Sequence, residues 1–127
     1  NMLAASVYLS ALGKHGLRQV ANLSYQKAHY AARQIAKLEG YQVIEKRPFF
    51  DEFIVRSPLP VESLNAYLLE EWGILGGYDL GKVYPSLQDH MLLCVTEMVS
   101  KEAIDELVQA LDEAKDEIAS SEELVVA

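Results

Sequence analysis

Along this 127-residue chain the apolar positions change their period several times, and each change marks an element. The opening stretch, Asn1 to Leu12, is helix-forming and apolar on most sides, with no leading cap residue. It reads as a helix entered in its middle. Gly13 suits a helix stop, and Gly13-Lys14-His15-Gly16 predicts a corner before a second helix begins near Leu17. From there Leu17, Ala21, Ser24, Ala28, Ala31, Ile35 and Leu38 recur at spacings of four and three. They form one stripe of mainly small side chains, which lets a neighbouring element approach closely. Gly40 ends the helix.

The period then shortens. Residues 41–45 and 50–56 are rich in Val, Ile, Phe and Tyr, and Lys46-Arg47-Pro48 between them is turn material, so they predict two neighbouring antiparallel strands. In the second run Phe53 and Val55 share one face while Phe50 and Ile54 share the other, the mark of a central strand. Ser57-Pro58-Leu59-Pro60 stops it. Val61, Leu64 and Leu68 resume helical spacing as far as Trp72, and Gly73 supplies the stop. Ile74-Leu75 reads as a short strand leading into residues 76–81, the most irregular stretch, whose glycines imply unusual backbone angles or close approach. A β-branched residue at Gly77 is accordingly expected to resist positive φ. Met91-Leu92-Leu93-Cys94-Val95 is apolar on both faces and predicts a buried strand. Ser100 suits the N-cap of a last helix, buried along Ile104, Leu107, Val108, Leu111 and Ile118. Residues 120–127 show no periodicity and are expected to fray.

The order of elements is ααββα(β)βα with short connections and no internal repeat. It predicts an α+β fold of two layers, a mostly antiparallel sheet with helices on one face. The length allows one sizeable core, so residues 1–127 form a single domain, cut within its first helix.

A formal charge of −8, from 19 acidic and 11 basic residues, repels phosphate backbones and anionic lipid. Nucleic acid and membrane are therefore excluded as partners. There is no apolar run long enough to span a bilayer and no signal-peptide pattern at the start. The single cysteine, Cys94, cannot form an internal disulfide; its apolar neighbours predict a buried, inert thiol in a reducing compartment, with the cytoplasm as default.

Candidate chemistry is sparse. His29, His90 and Cys94 are of metal-ligating type, but His90 and Cys94 would lie ~13 Å apart at ~3.3 Å per strand residue, too far to share an ion. No metal site is expected. The glycine-rich loop lacks the Walker and dinucleotide patterns, and Asp79 would repel an anion, so Gly76, Gly77, Tyr78 and Asp79 are expected to be a structural or interface loop. Arg56, at a strand end, has the forked geometry to clamp a carboxylate. Tyr25, His29 and Arg33, with Gln26 and Tyr30 beside them, form a polar-aromatic helix face of the composition found at contact surfaces. No catalytic constellation emerges.

Five segments in order carry a resemblance: Val7 to Arg18 (VYLSALGKHGLR), Gln26 to Tyr30 (QKAHY), Pro48 to Phe53 (PFFDEF), Gly76 to Gly81 (GGYDLG) and Leu92 to Glu97 (LLCVTE). Together they resemble the later part of the P-protein of the glycine cleavage system, in particular its subunit 1 branch. The resemblance implies the small C-terminal domain of the fold-type I, aspartate-aminotransferase-like architecture of pyridoxal-phosphate enzymes, packed against its own large domain. It implies an enzyme in which glycine joins pyridoxal phosphate, loses carbon dioxide and passes an aminomethyl group to lipoate on the H-protein, the cofactor acting as electron sink. In that family the cofactor lysine follows a histidine in the other subunit. None of the seven lysines here (14, 27, 37, 46, 82, 101, 115) does so, and none is expected to bind the cofactor. The resemblance thus implies a cofactor-free accessory domain, in an assembly of two copies of each subunit, with Gly76, Gly77, Tyr78, Asp79, Gln26, His29, Tyr30 and Arg56 as the surfaces turned toward a partner or active site. The alternative is a free-standing α+β module that binds a small molecule or protein through the same loop.

Overall fold

The computed structural model describes the backbone of residues 2–44 and 48–126 and the side chains of residues 13–44 and 48–118. The first helix, α1, spans Met2–Ala36 and is bent at Gly13, whose φ of 67° and ψ of −177° are non-helical. The expected four-residue corner is one residue wide, because a glycine at positive φ absorbs the whole turn. Lys14, His15 and Gly16 are helical.

Strand β1 is Gln42–Ile44 and β2 is Glu52–Arg56; the expected turn at Lys46-Arg47 lies outside the described residues. Helix α2, Val61–Trp72, ends as the glycine signal predicts: Gly73 adopts the left-handed conformation and donates its N–H back to the Leu68 and Leu69 carbonyls. Ile74 then donates its N–H to the Leu68 carbonyl at 3.0 Å. That bond closes the helix end and removes Ile74 from any ladder, so the short strand expected at Ile74-Leu75 falls later, at Tyr78–Asp79 (β3). Two single-turn 3-10 segments follow, Leu80–Lys82 and Pro85–Leu87, before β4, His90–Cys94. Helix α3, Lys101–Val126, starts at Ser100, whose hydroxyl accepts from the Ala103 N–H at 3.0 Å, an N-cap. Its backbone stays helical through Val126, past the point where the sequence pattern fades.

All pairings are antiparallel, in the order β1-β2-β4-β3. Strand β2 is central, as its two apolar faces predict. The core lies between one face of the sheet and the three helices: Phe53, Val55, Met91 and Leu93 from the strands meet Ala28, Ala31, Ala32 and Ile35 of α1, Leu64 and Leu68 of α2, and Ile104 and Leu111 of α3. The small-residue stripe of α1 is what lets it seat so closely on the sheet and on α3. Polar bonds fix the seating. Ser24 Oγ donates to Glu97 Oε2 at 3.0 Å and accepts from the Glu97 N–H at 3.1 Å, while Lys27 Nζ donates to the Glu97 carbonyl at 2.7 Å. The buried Tyr41 hydroxyl donates to the Leu111 carbonyl at 2.6 Å, tying the end of α1 to α3.

One expectation about β4 is overturned. Leu92 is half-buried and Cys94 is exposed, because the helices cover only the face carrying Met91 and Leu93. An apolar residue on both faces of a strand does not by itself say that both faces are covered within this chain.

Candidate functional site

The candidate residues occupy three separate places. On α1, the His29 ring lies between two aromatic rings, 4.0 Å from Phe49 in a stacked arrangement and 4.0 Å from Tyr25 in a tilted one. Its Nε2 is 3.0 Å from the Phe49 carbonyl, which requires that nitrogen to carry the proton and donate. His29 is thus a brace holding the segment before β2 against α1. Tyr30, one residue on, donates its hydroxyl to Asp105 of α3, with Lys101 over its ring at 5.4 Å. That hydrogen bond raises the pKa of the Tyr30 phenol and lowers that of the Asp105 carboxyl. Of the helix face, Tyr25, Gln26 and Arg33 remain exposed.

The glycine loop lies at the far edge of the sheet, on β3. The left-handed glycines of the structure are Gly13, Gly40 and Gly73; Gly76 and Gly77 are not among them. Their role is close approach. A Cβ on Gly76 would collide with the Asn65 carboxamide oxygen, and one on Gly77 would lie 2.8 Å from the Leu92 carbonyl and 3.1 Å from the Met91 side chain. Asn65 Nδ2 donates to the Gly77 carbonyl at 2.9 Å, fastening the loop to α2. Asp79 accepts from the Gly81 N–H at 3.0 Å and caps the 3-10 turn, so its carboxylate is occupied locally. Tyr78 is 55% exposed.

Arg56 is exposed at the end of β2, paired in register with His90 on one side and Gln42 on the other. The structure therefore joins none of the three groups to another. What the sequence reading missed is the row in between: Ile44, Ile54, Leu92 and Tyr78 stand directly opposite one another across all four strands, on the face away from the helices. Alternation along each strand contained the signal, but only the register aligns the four.

Two depressions lie among the described residues. One, of about 210 Å³, is walled by Ile74, Leu93, Val99, Ile104 and Leu107, and its charged lining residue is Glu106. The other, of about 330 Å³, is walled by Ile44, Phe49, Ile54 and Leu92, and its charged lining residue is Glu52. Apolar walls with a carboxylate and no cation do not fit an anionic group. Among the described residues no group of three His, Cys, Asp or Glu side chains could hold a metal ion, and no helix is long and apolar enough to cross a membrane.

Comparison with known proteins decides the family. The profile described as "Glycine cleavage system P-protein" matches residues 1–111. The chain belongs to the glycine cleavage system P-protein family. Among its relatives in that family is the probable glycine dehydrogenase (decarboxylating) subunit 1 of Thermomicrobium roseum, 57% identical over 112 residues, which are 88% of this chain and 25% of that protein. Another is the probable subunit 1 of Anoxybacillus flavithermus, 50% identical over 87% of this chain and 24% of that protein. The P-protein family chain thus spans about a quarter of the length of these relatives. Among solved structures it is similar to an inhibitor-bound glycine decarboxylase (P-protein) of the glycine cleavage system. The TM-score is 0.75 at 31% identity, over 85% of this chain and 24% of that one. The L-threonine-O-3-phosphate decarboxylase of Porphyromonas gingivalis shares the fold, with a TM-score of 0.60 at 16% identity over 72% of this chain and 26% of that one. The α+β arrangement is that of a part of the fold-type I pyridoxal-phosphate enzymes.

Proposed function

We propose that this chain is the small accessory domain, C-terminal in its parent polypeptide, of the cofactor-free subunit of a glycine decarboxylase. In this reading it braces its own large domain and a pyridoxal-phosphate-bearing partner subunit. It thereby supports decarboxylation of glycine and transfer of an aminomethyl group to the lipoyl H-protein in the cytoplasm. The observation that carries the reading is the 57% identity to a subunit 1 over 88% of this chain, at a quarter of that subunit's length.

The chemistry of the described residues supports an accessory role. The two depressions suit apolar groups, and His29, Tyr30 and Asp79 are engaged within the chain. The domain's contribution is positional, and Gln26, Arg56 and Tyr78 are the exposed candidate residues left to reach a partner.

The test is assembly. Subunit 1 carrying this domain, mixed with the cofactor-bearing subunit, is expected to co-elute as one complex in size-exclusion chromatography, and subunit 1 lacking residues 1–127 is expected to elute alone. Equal assembly by both would contradict the reading.

A further inference from the structure

Leu75, Gly76 and Gly77 bridge two fixed points. At one end the Ile74 N–H is held by the Leu68 carbonyl at 3.0 Å, and at the other Tyr78 pairs with Leu92 in the sheet. Between them a side-chain bond fastens the bridge to α2, from Asn65 Nδ2 to the Gly77 carbonyl at 2.9 Å. The other half of that carboxamide is unsatisfied: Asn65 Oδ1 is buried without a hydrogen-bond partner, pressed toward the place where a Cβ on Gly76 would stand. A carbonyl oxygen sealed against a Cα–H has exchanged water for a much weaker contact. Leu75 adds a second cost. It is 84% exposed, yet it stands at the mouth of the apolar depression of about 210 Å³ whose walls include Ile74, Val99, Ala103 and Leu107. An apolar cavity of ~150 Å³ takes in a benzene-sized group, so this one has room for a leucine side chain.

An orphaned acceptor, an exposed leucine and an unfilled apolar depression meet on one three-residue bridge, and one movement relieves all three. We propose that residues 75–77 are a strap with two settings, with Leu75 as its plug and Asn65 as the catch that holds it open. In the open setting, the one seen here, the catch is made, Leu75 faces solvent and the depression has no plug. In the closed setting the bond from Asn65 to Gly77 parts, Leu75 enters the depression and Asn65 Oδ1 meets water. Burial of the leucine and solvation of the orphaned oxygen favour closing; the hydrogen bond and the side-chain freedom of Leu75 favour opening. Closing withdraws the most exposed leucine of the described residues, so the surface this edge of the domain presents is set by the catch. The device stands on these contacts alone and is independent of the decarboxylase reading.

The experiment uses the full-length subunit carrying Leu75→Met, a swap of similar volume whose thioether reports its exposure by oxidation to the sulfoxide. Met98, also 84% exposed, is the internal reference. After brief treatment with dilute hydrogen peroxide, sulfoxide at positions 75 and 98 is measured by mass spectrometry. With the catch intact the two methionines are expected to oxidise at similar rates. Asn65→Asp replaces the donor with a carboxylate that repels the Gly77 carbonyl, and position 75 is then expected to oxidise at least about fivefold more slowly, since one hydrogen bond is worth a factor of ~10, while Met98 is unchanged. Gly76→Ala, whose Cβ drives Asn65 Oδ1 away, is expected to act in the same direction and decides the matter should Asn65→Asp fail to fold. Adding Ala103→Phe, which fills the depression from its exposed rim, is expected to restore oxidation at position 75. Equal oxidation with and without the catch, protection of position 75 while the catch is intact, or no restoration by Ala103→Phe would overturn the proposal.

Discussion

Gly77 has an ordinary backbone but no room beside it, and the distinction changes what a substitution should do. Because its Cβ would press on the Leu92 carbonyl, a backbone atom that cannot swing away, even Gly77→Ala is expected to destabilise the chain. The loss should be ~1–3 kcal/mol, the range for overpacking, with Gly77→Val at the upper end, measured by urea unfolding. The sequence showed that a glycine was needed here; it could not say which of its two properties was used, since that depends on how near β4 passes. Tyr41 carries a second residue-level expectation. Burial, then the nearby Asp112, raises its pKa above the ordinary 10.0. The folded state therefore holds the proton after the unfolded state has lost it, so this stability is complete below about pH 10 and declines as pH rises beyond it. Tyr41→Phe should flatten the loss of stability between about pH 10 and 11 while costing ~0.5–1.5 kcal/mol at neutral pH for the lost bond to Leu111. An unchanged alkaline slope would show that Tyr41 is not the group responsible. Cys94 was expected to be buried and is exposed, yet its thiol is still held above its ordinary pKa, by partial desolvation and by Asp51 and Glu52. Glu52→Gln is expected to speed its reaction with a disulfide reagent at pH 7, an effect that added salt should mimic.

Among the elements, α1 shows most clearly how a pattern becomes packing. Ala28, Ala31 and Ala32 are completely or almost completely buried, and their size sets the distance between α1, the sheet and α3. Ala31→Leu should force that layer apart and cost ~1–3 kcal/mol or more, while Ile35→Ala, which empties the same layer, should cost ~2–5 kcal/mol. Thermal unfolding of the two variants checks both; a neutral Ala31→Leu would mean the seam is looser than described. Helix periods, glycine stops and the Ser100 cap were legible because they depend on neighbours within four residues. The strand at Tyr78–Asp79 was not, because two residues carry no period, and Ile74 was diverted by its bond to Leu68 at the end of α2. The candidate contact residues followed the same rule. Stickiness of the His29 and Tyr30 face was readable, but what it sticks to is Phe49 and Asp105 of its own chain. The row Ile44, Ile54, Leu92 and Tyr78 needs three strand pairings to exist, and no local pattern reveals them.

For the whole molecule the sheet separates two unlike faces. The described core lies on one side of the sheet, and the other side carries Ile44, Ile54 and Leu92 along its middle. The chain belongs to the P-protein family and spans about a quarter of the length of its relatives. Under the proposed function the domain works only within a two-subunit glycine decarboxylase. The most direct test is exchange of the glycine carboxyl with labelled bicarbonate in the presence of H-protein, using full-length subunit 1, the cofactor-bearing subunit, and their mixture. Exchange in the mixture alone, lost when residues 1–127 are removed from subunit 1, is the result this account requires. Undiminished exchange without the domain, with both proteins folded, would contradict it.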